Sequence, residues 1–351
     1  MSNIKRIKAA ILRNEDPFDH EPWVVACEKY KHLVDYKIID LTINNWLKEI
    51  DLFKPDILLL KPSGKTSLFR TLYQERLDIL VNDLKYISFP SYNEVRIYEN
   101  KRFFAYWAIA NNIPHPQTDI FYHENEVRKF LSITKFPIVG KMNVGASGKG
   151  IKILKDKTEL RHYIEMAFGA GIHSKTGPKL TKNRLIQRVF NKIINPSQLI
   201  NRLRTYKEIA SDKQKGFIIL QEYIQHDFEW RVVKIGDSFF AHKKIKKGDK
   251  TSGSLLKNYD NPPLDLFDFV KDIADRFNFQ SVAMDIFKNN NQYLVNEIQC
   301  IFGQSDSFQM LVNGIKGRYR YLNNQWIFEE GDFNQNQSYN LRIDTVIQTF
   351  L

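Results

Sequence analysis

At 351 residues, with 43% hydrophobic and 26% charged content, the chain can bury a sizeable core and has room for two or three domains. No apolar run approaches the roughly 20 residues that cross a bilayer, and two cysteines, Cys27 and Cys300, exclude a disulfide framework or a cysteine-rich metal site. The net charge of +12 is concentrated: residues 173–215 hold eleven Lys or Arg against Glu208 and Asp212, a net +9.

The N-terminus has a basic start, a very short apolar stretch and no small-residue cleavage site, so it reads as the first strand of a cytoplasmic protein. From there IKAAILR, PWVVACEKYKHL, YKIIDL, NNWLKEI, DILLLKP and FRTLYQERLDILVNDL alternate strand and helix character, which predicts a small parallel α/β domain over 1–93. The polar loop from Arg13 to Trp23 follows the first strand, where ligands of open α/β domains sit; Arg13 and His20 are the residues to test there, against the plainer reading of a solvated loop. A helix, NKRFFAYWAIANNIP, is ended by Pro114 and Pro116.

Residues 118–168 read as strand, helix, strand, glycine-rich loop, strand and helix. The basic segment 173–215 follows as a helical insertion, with LIQRVFNKII and QLINRLRTY separated by Asn195-Pro196, and completes a second part over 94–216. The third part, 217–351, has strands GFIILQEYI and WRVVKIGDSFFAHKKI, helix DLFDFVKDIADRF and the hairpin SVAMDIF, NNN, QYLVNEI. The tail from Gly317 to Leu341 reads as hairpins covering the core.

Three groups of residues could carry chemistry. Gly145-Ala146-Ser147-Gly148-Lys149-Gly150 lies between two strands, with Lys141 on the incoming one; glycines let backbone N–H groups close on phosphate, and the lysine adds a point charge. A plain hairpin turn explains the same glycines. Asp285 and Glu297 face each other if the predicted hairpin turns on a three-residue loop centred on Asn291. Such a pair is either solvated or bridged by a hard divalent cation, with Gln299 offering a further oxygen on that face. Gln221-Glu222-Tyr223-Ile224 ends an apolar strand whose backbone could read an adenine edge, followed by Glu229 and Arg231.

The order of Lys101, Lys141 with its glycine loop, the QEYI segment, Glu229-x-Arg231 and the Asp285-x11-Glu297-x-Gln299 hairpin resembles the ATP-grasp superfamily, in the branch of ribosomal-protein glutamate ligases and glutathione synthetases. The resemblance spans about residues 95–312 and, more faintly, the N-terminal domain. It implies a Rossmann-like pre-ATP-grasp domain followed by a two-subdomain ATP-grasp fold, α/β and α+β in class. It also implies ATP with two Mg²⁺ or Mn²⁺ ions, and a carboxylate–amine ligase working through an acyl phosphate. Lys101, Lys141 and the loop Gly145, Ala146, Ser147, Gly148, Gly150 would then hold phosphates. Glu222, Tyr223 and Ile224 would read adenine, Glu229 the ribose, and Arg231 with Lys243 the transferring phosphoryl, while Asp285, Glu297 and Gln299 ligate metal. Lys244 and Lys246 are as plausible as Lys243 by composition, and Gln299 stands where the family usually has Asn.

An ATP-grasp phosphotransferase acting on a hydroxyl or histidine, and a non-catalytic nucleotide-binding protein, are the alternatives. The carboxylate and amine stay open among small molecules, peptides and glycans, as does oligomeric state. For the basic segment the choices are a solvated arm, an anionic membrane surface, which would make the protein peripheral, or an acidic glycan or peptide; nucleic acid is the least favoured partner.

Overall fold

A computed structural model describes residues 6–64, 66–145, 150–173, 208–209, 211–247, 250–251 and 256–350. Ala146, Ser147, Gly148 and Lys149 of the glycine loop, and both helical stretches expected in the basic segment, lie outside the described residues. Two compact units emerge. One holds the described residues up to 64, 68–116 and those from 224 on; the other holds 66–67 and 117–223.

The first unit begins with β1 (Ile7–Arg13), α1 (Glu21–Lys29), β2 (Val34–Asp40), α2 (Trp46–Phe53), β3 (Ile57–Leu60), α3 (Ser67–Asp78) and β4 (Ser88–Phe89). The strands form a parallel sheet in the order β2-β1-β3-β4. All four residues of β3 are buried, as expected of a parallel strand covered on both faces. Two short helices follow, α4 (Tyr92–Ile97) and α5 (Lys101–Ala110). Ser91 and Glu94 close a capping box on α4. Glu94 reaches further, accepting the backbone N–H groups of Gln280 (2.9 Å) and Ser281 (2.6 Å).

The second unit contains β5 (Thr118–Phe121), α6 (Glu124–Ile133), β6 (Ile138–Lys141), β7 (Ile151–Leu154), α7 (Lys157–Phe168), β8 (Ile172–His173), β9 (Lys213–Gln214) and β10 (Ile218–Glu222). Its sheet runs β5-β10-β6-β7, antiparallel throughout, and α6 and α7 bury Val127, Leu131, Leu160 and Ile164 with Ile138, Leu154, Ile218 and Leu220. β8 and β9, at the two ends of the basic segment, pair with each other.

The chain then returns to the first unit with β11 (Phe228–Ile235), β12 (Ser238–Lys247), β13 (Lys250–Thr251), β14 (Lys257–Asn258), α8 (Leu264–Arg276), β15 (Ser281–Asn289), β16 (Gln292–Gln299), β17 (Leu311–Val312), β18 (Ile315–Leu322) and β19 (Gln325–Glu330). These strands make a large antiparallel sheet, β16-β15-β11-β12-β18-β17, with β13 and β14 on β12 and β19 on β18. Leu266, Phe267, Val270, Ile273 and Ala274 recur at helical spacing on α8 and share a core with Trp230, Val232, Met284 and Ile286 from one face of the sheet.

The tail differs from expectation. The β18–β19 hairpin forms as read, but Tyr339–Phe350 is a helix, α9. Tyr339, Ile343, Val346 and Ile347 fall on one helical stripe and join the core of the parallel sheet. Arg342 of α9, fully buried, donates to Ser281 Oγ (3.2 Å) and the Phe302 carbonyl (3.2 Å). No helix among the described residues is long and apolar enough to cross a membrane.

Candidate active site

Strand alternation builds the site. With Trp230 and Ile286 turned into the α8 core, Glu229, Arg231 and Asp285 are left on the opposite face of the large sheet. Arg231 lies directly across from Asp285 in the register and forms a two-pronged pair with it, Nε to Oδ1 at 2.8 Å and Nη2 to Oδ2 at 2.9 Å. The same Nη2 is 3.4 Å from Gln299 Oε1.

Asp285 also faces Glu297, as expected, but by another route. The turn is the two-residue Asn290-Asn291, both with positive φ (45° and 64°), and not a three-residue loop. A two-residue turn alone would set Asn296 against Asp285. A β-bulge between Asp285 and Ile286 absorbs Asn296, so that Ile286 pairs with Val295 and Asp285 with Glu297. The bulged Asn296 donates to Glu229 Oε2 at 3.3 Å.

The lysine beside Arg231 is Lys244. β12 places Lys244 opposite Glu229, where its ammonium meets Glu229 Oε1 (2.6 Å) and Asp285 Oδ2 (2.8 Å). Lys243, one residue earlier, points the other way and sits over the rings of Phe228 (4.6 Å) and Trp230 (5.1 Å). The Gly236-Asp237 turn, which pairs Ile235 with Ser238, is the sequence signal that could have selected Lys244. Lys101, the first residue of α5, completes the group: its ammonium is 3.4 Å from Glu297 Oε1 and 3.6 Å from Glu99 Oε2.

Three cations thus meet four carboxylates, nearly all out of water: Asp285 is 2% exposed, Glu229 4% and Lys244 5%. Burial works against the Asp285 charge, but Arg231 and Lys244 outweigh it and hold that carboxyl well below the usual range. Burial likewise opposes the charge on Lys244, and Asp285 and Glu229 overcome it, so its pKa lies above the ordinary lysine value. Glu229 is shifted up, by burial first, with Lys244 pulling it back and Asp285 pushing it further. His242, opposite Arg231, is pushed down to about 3 by burial and then by the Arg231 charge, so it is neutral; its Nδ1 lies 3.1 Å from the Gln309 carbonyl.

Ile224 forms a small apolar cluster with Phe287 and Leu294, a cross-strand pair that the sequence did not single out, and its carbonyl is 2.7 Å from His226 Nδ1. Within the second unit, Lys141 is buried at the end of β6, opposite Ile219 of β10. The Met142 N–H donates to the Gly150 carbonyl (2.8 Å), closing the base of the glycine loop, and Gly145 has φ 148°. Glu222 accepts the Gln117 N–H (2.7 Å), and Tyr223 follows it. At the end of β1, Arg13 pairs with Asp40, and in the loop beyond, His20 is buried just before α1 with its pKa lowered, by burial first and then by Arg13.

No family model matches the sequence, and no curated protein matches it. Solved structures do match. D-alanine–D-alanine ligase from Bacillus anthracis superposes with a TM-score of 0.53 at 14% identity, covering 98% of this chain and 97% of that one. N5-carboxyaminoimidazole synthetase from Staphylococcus aureus complexed with ADP gives 0.55 at 11%, covering 98% and 79%. A RimK-domain ATP-grasp protein from Sphaerobacter thermophilus gives 0.50 at 11%, covering 83% and 90%.

Proposed function

This chain has the ATP-grasp fold, and on that scaffold we propose that it is an ATP-dependent carboxylate–amine ligase, forming an amide through an acyl phosphate. The observation that carries the proposal is the single buried face on which Lys101, Arg231 and Lys244 stand against Asp285 and Glu297. An array of fixed cations and carboxylates in a water-poor setting suits phosphoryl transfer, where the protein's work is to position charge and exclude water.

Arg231 and Lys244 bind the transferring phosphoryl group, with Lys244 in the role first assigned to Lys243. Lys101 binds phosphate, the role also expected of Lys141 and the loop from Gly145 to Gly150. Ile224, Phe287 and Leu294 give adenine an apolar wall, Glu222 and Tyr223 keep the adenine-reading role expected of them, and Glu229 binds the ribose. Asp285 and Glu297, paired across the hairpin with the Gln299 oxygen on the same face, are an all-oxygen donor set that fits Mg²⁺ or Mn²⁺. Bound there, the ion supplies neutralising charge to the polyphosphate.

A carboxylate cannot lose oxide to an amine. Transfer of the γ-phosphoryl to the carboxylate oxygen gives a phosphate leaving group, which departs with the C–O electron pair after the amine has formed the C–N bond. No side-chain nucleophile is required. Arg13, the last residue of β1, and His20, in the loop that follows, we assign to the acceptor, since they lie at the carboxyl end of a parallel strand.

Release of ADP and phosphate over pooled amino acids, peptides and uronic acids tests the reading, with Asp285→Ala/Glu297→Ala as control. A ligase yields ADP, phosphate and a new amide. ADP without free phosphate would assign a phosphotransferase, and activity surviving the double substitution would remove the metal assignment.

A further inference from the structure

Left-handed backbone in this protein is usually given to asparagine: nine of the fourteen non-glycine residues with positive φ among the described residues are Asn. Its short amide bonds locally and tolerates that conformation. Glu99, with φ 48°, breaks the pattern. It follows the last turn of α4, where a glycine or asparagine would relieve the backbone, and it is the one charged residue of that set that is buried, at 2% exposure. A strained conformation and a buried carboxylate each cost stability, so a partner beyond the local backbone accounts for the acid.

One such partner is Lys101, and the Glu99 charge also acts on the buried Arg70. The Lys101 side chain is 9% exposed, and its ammonium lies between Glu99 Oε2 at 3.6 Å and Glu297 Oε1 at 3.4 Å. A cavity of about 10 Å³, lined by Glu99, Asn100, Lys101, Asn296 and Glu297 among others, lies at this junction. That is room on the order of one water molecule. Were Glu99 absent, Glu297 would be the only one of these two acids left to neutralise the lysine.

We propose that Glu99 is a positioning residue for nucleotide binding: it competes with Glu297 for Lys101, which leaves Glu297 free to serve a divalent cation and keeps the lysine directed at phosphate. The inference rests on the roles given above to Lys101 and Glu297. It differs from a purely architectural role in its consequences. An acid kept for the backbone alone could be replaced by asparagine with no loss of nucleotide binding; an acid kept for Lys101 could not.

The test is MgADP binding by calorimetry on the full chain over a series of Mg²⁺ concentrations, with adenosine binding followed by ligand-observed NMR. The proteins are wild type, Glu99→Asn, Glu99→Gln and Lys101→Met. For Glu99→Asn we expect a Tm at or above wild type, unchanged adenosine affinity, MgADP affinity lower by about tenfold, and a higher Mg²⁺ requirement, the tenfold being about 1.4 kcal/mol. Glu99→Gln, nearly isosteric, should show the same binding losses and serves if the asparagine variant does not fold. MgADP affinity and Mg²⁺ requirement equal to wild type would overturn the proposal, as would parallel loss of ADP and adenosine binding with a lowered Tm. If wild type does not bind MgADP, or Lys101→Met binds it unchanged, the underlying nucleotide assignment fails instead, and the role of Glu99 falls with it.

Discussion

The parallel sheet and the large antiparallel sheet use burial in opposite ways. In the parallel sheet, Leu58, Leu59 and Leu60 are all fully buried, so the strand interior has no side chain to offer for chemistry and polar groups gather in the loops at its ends. In the large sheet, β11 and β15 also run through the interior, but alternate residues differ in kind. Trp230, Val232, Met284 and Ile286 feed the α8 core, while Glu229, Arg231 and Asp285 share a buried ionic face. Burial there does not exclude charge; it concentrates charge where each ion must find a protein partner.

The comparison can be broken most forcefully at Asp285. Asp285→Ala leaves Arg231 and Lys244 buried beside too few acids, and should cost about 3–5 kcal/mol in denaturant unfolding as well as abolishing MgADP binding. Leu59→Ala in the parallel sheet should cost a similar or smaller amount, about 2–5 kcal/mol, seen as a lower denaturant midpoint at constant m, while MgADP affinity stays at the wild-type value.

Glu94 sharpens the comparison because it ties α4 to the start of β15, and its carboxyl is pushed up to about 7 by burial, held back by the N–H groups it accepts. The folded protein therefore keeps a proton that the unfolded chain, near 4.5, gives up. This contribution is fully present below the unfolded pKa and is lost as pH rises towards 7, by about 3 kcal/mol. Unfolding free energies at pH 5 and 7.5 should differ by about 2 kcal/mol more for wild type than for Glu94→Gln. The smallest effect belongs to Lys243→Met, which gives up ring contacts worth about 0.5–1 kcal/mol and should leave MgADP affinity intact; Lys244→Met should not.

Much of this was legible in the sequence. The αβ alternation up to Phe89, the strands around the glycine loop, α8 and the β15–β16 hairpin follow from periodicity alone. The facing of Asp285 and Glu297 was also legible, but for a reason that the structure replaces, since a shorter turn and a bulge together give the register expected of a longer turn. Lys244 was hidden because neighbouring lysines are equivalent in composition and only the Gly236-Asp237 turn decides which faces Glu229. Glu99 was hidden for a different reason. Its role depends on a left-handed φ and on a lysine that becomes its neighbour only when α5 starts two residues later.

The bulge at Asn296 has an implication for recognising relatives. Removing that one residue would leave Ile286 against Val295 and Asp285 against Glu297, only without the irregularity. A hairpin one residue shorter thus delivers both carboxylates to the same side. The count of residues between the acids is a property of how the strand absorbs its odd member, so a search pattern that insists on one spacing would overlook chains whose paired carboxylates are arranged identically.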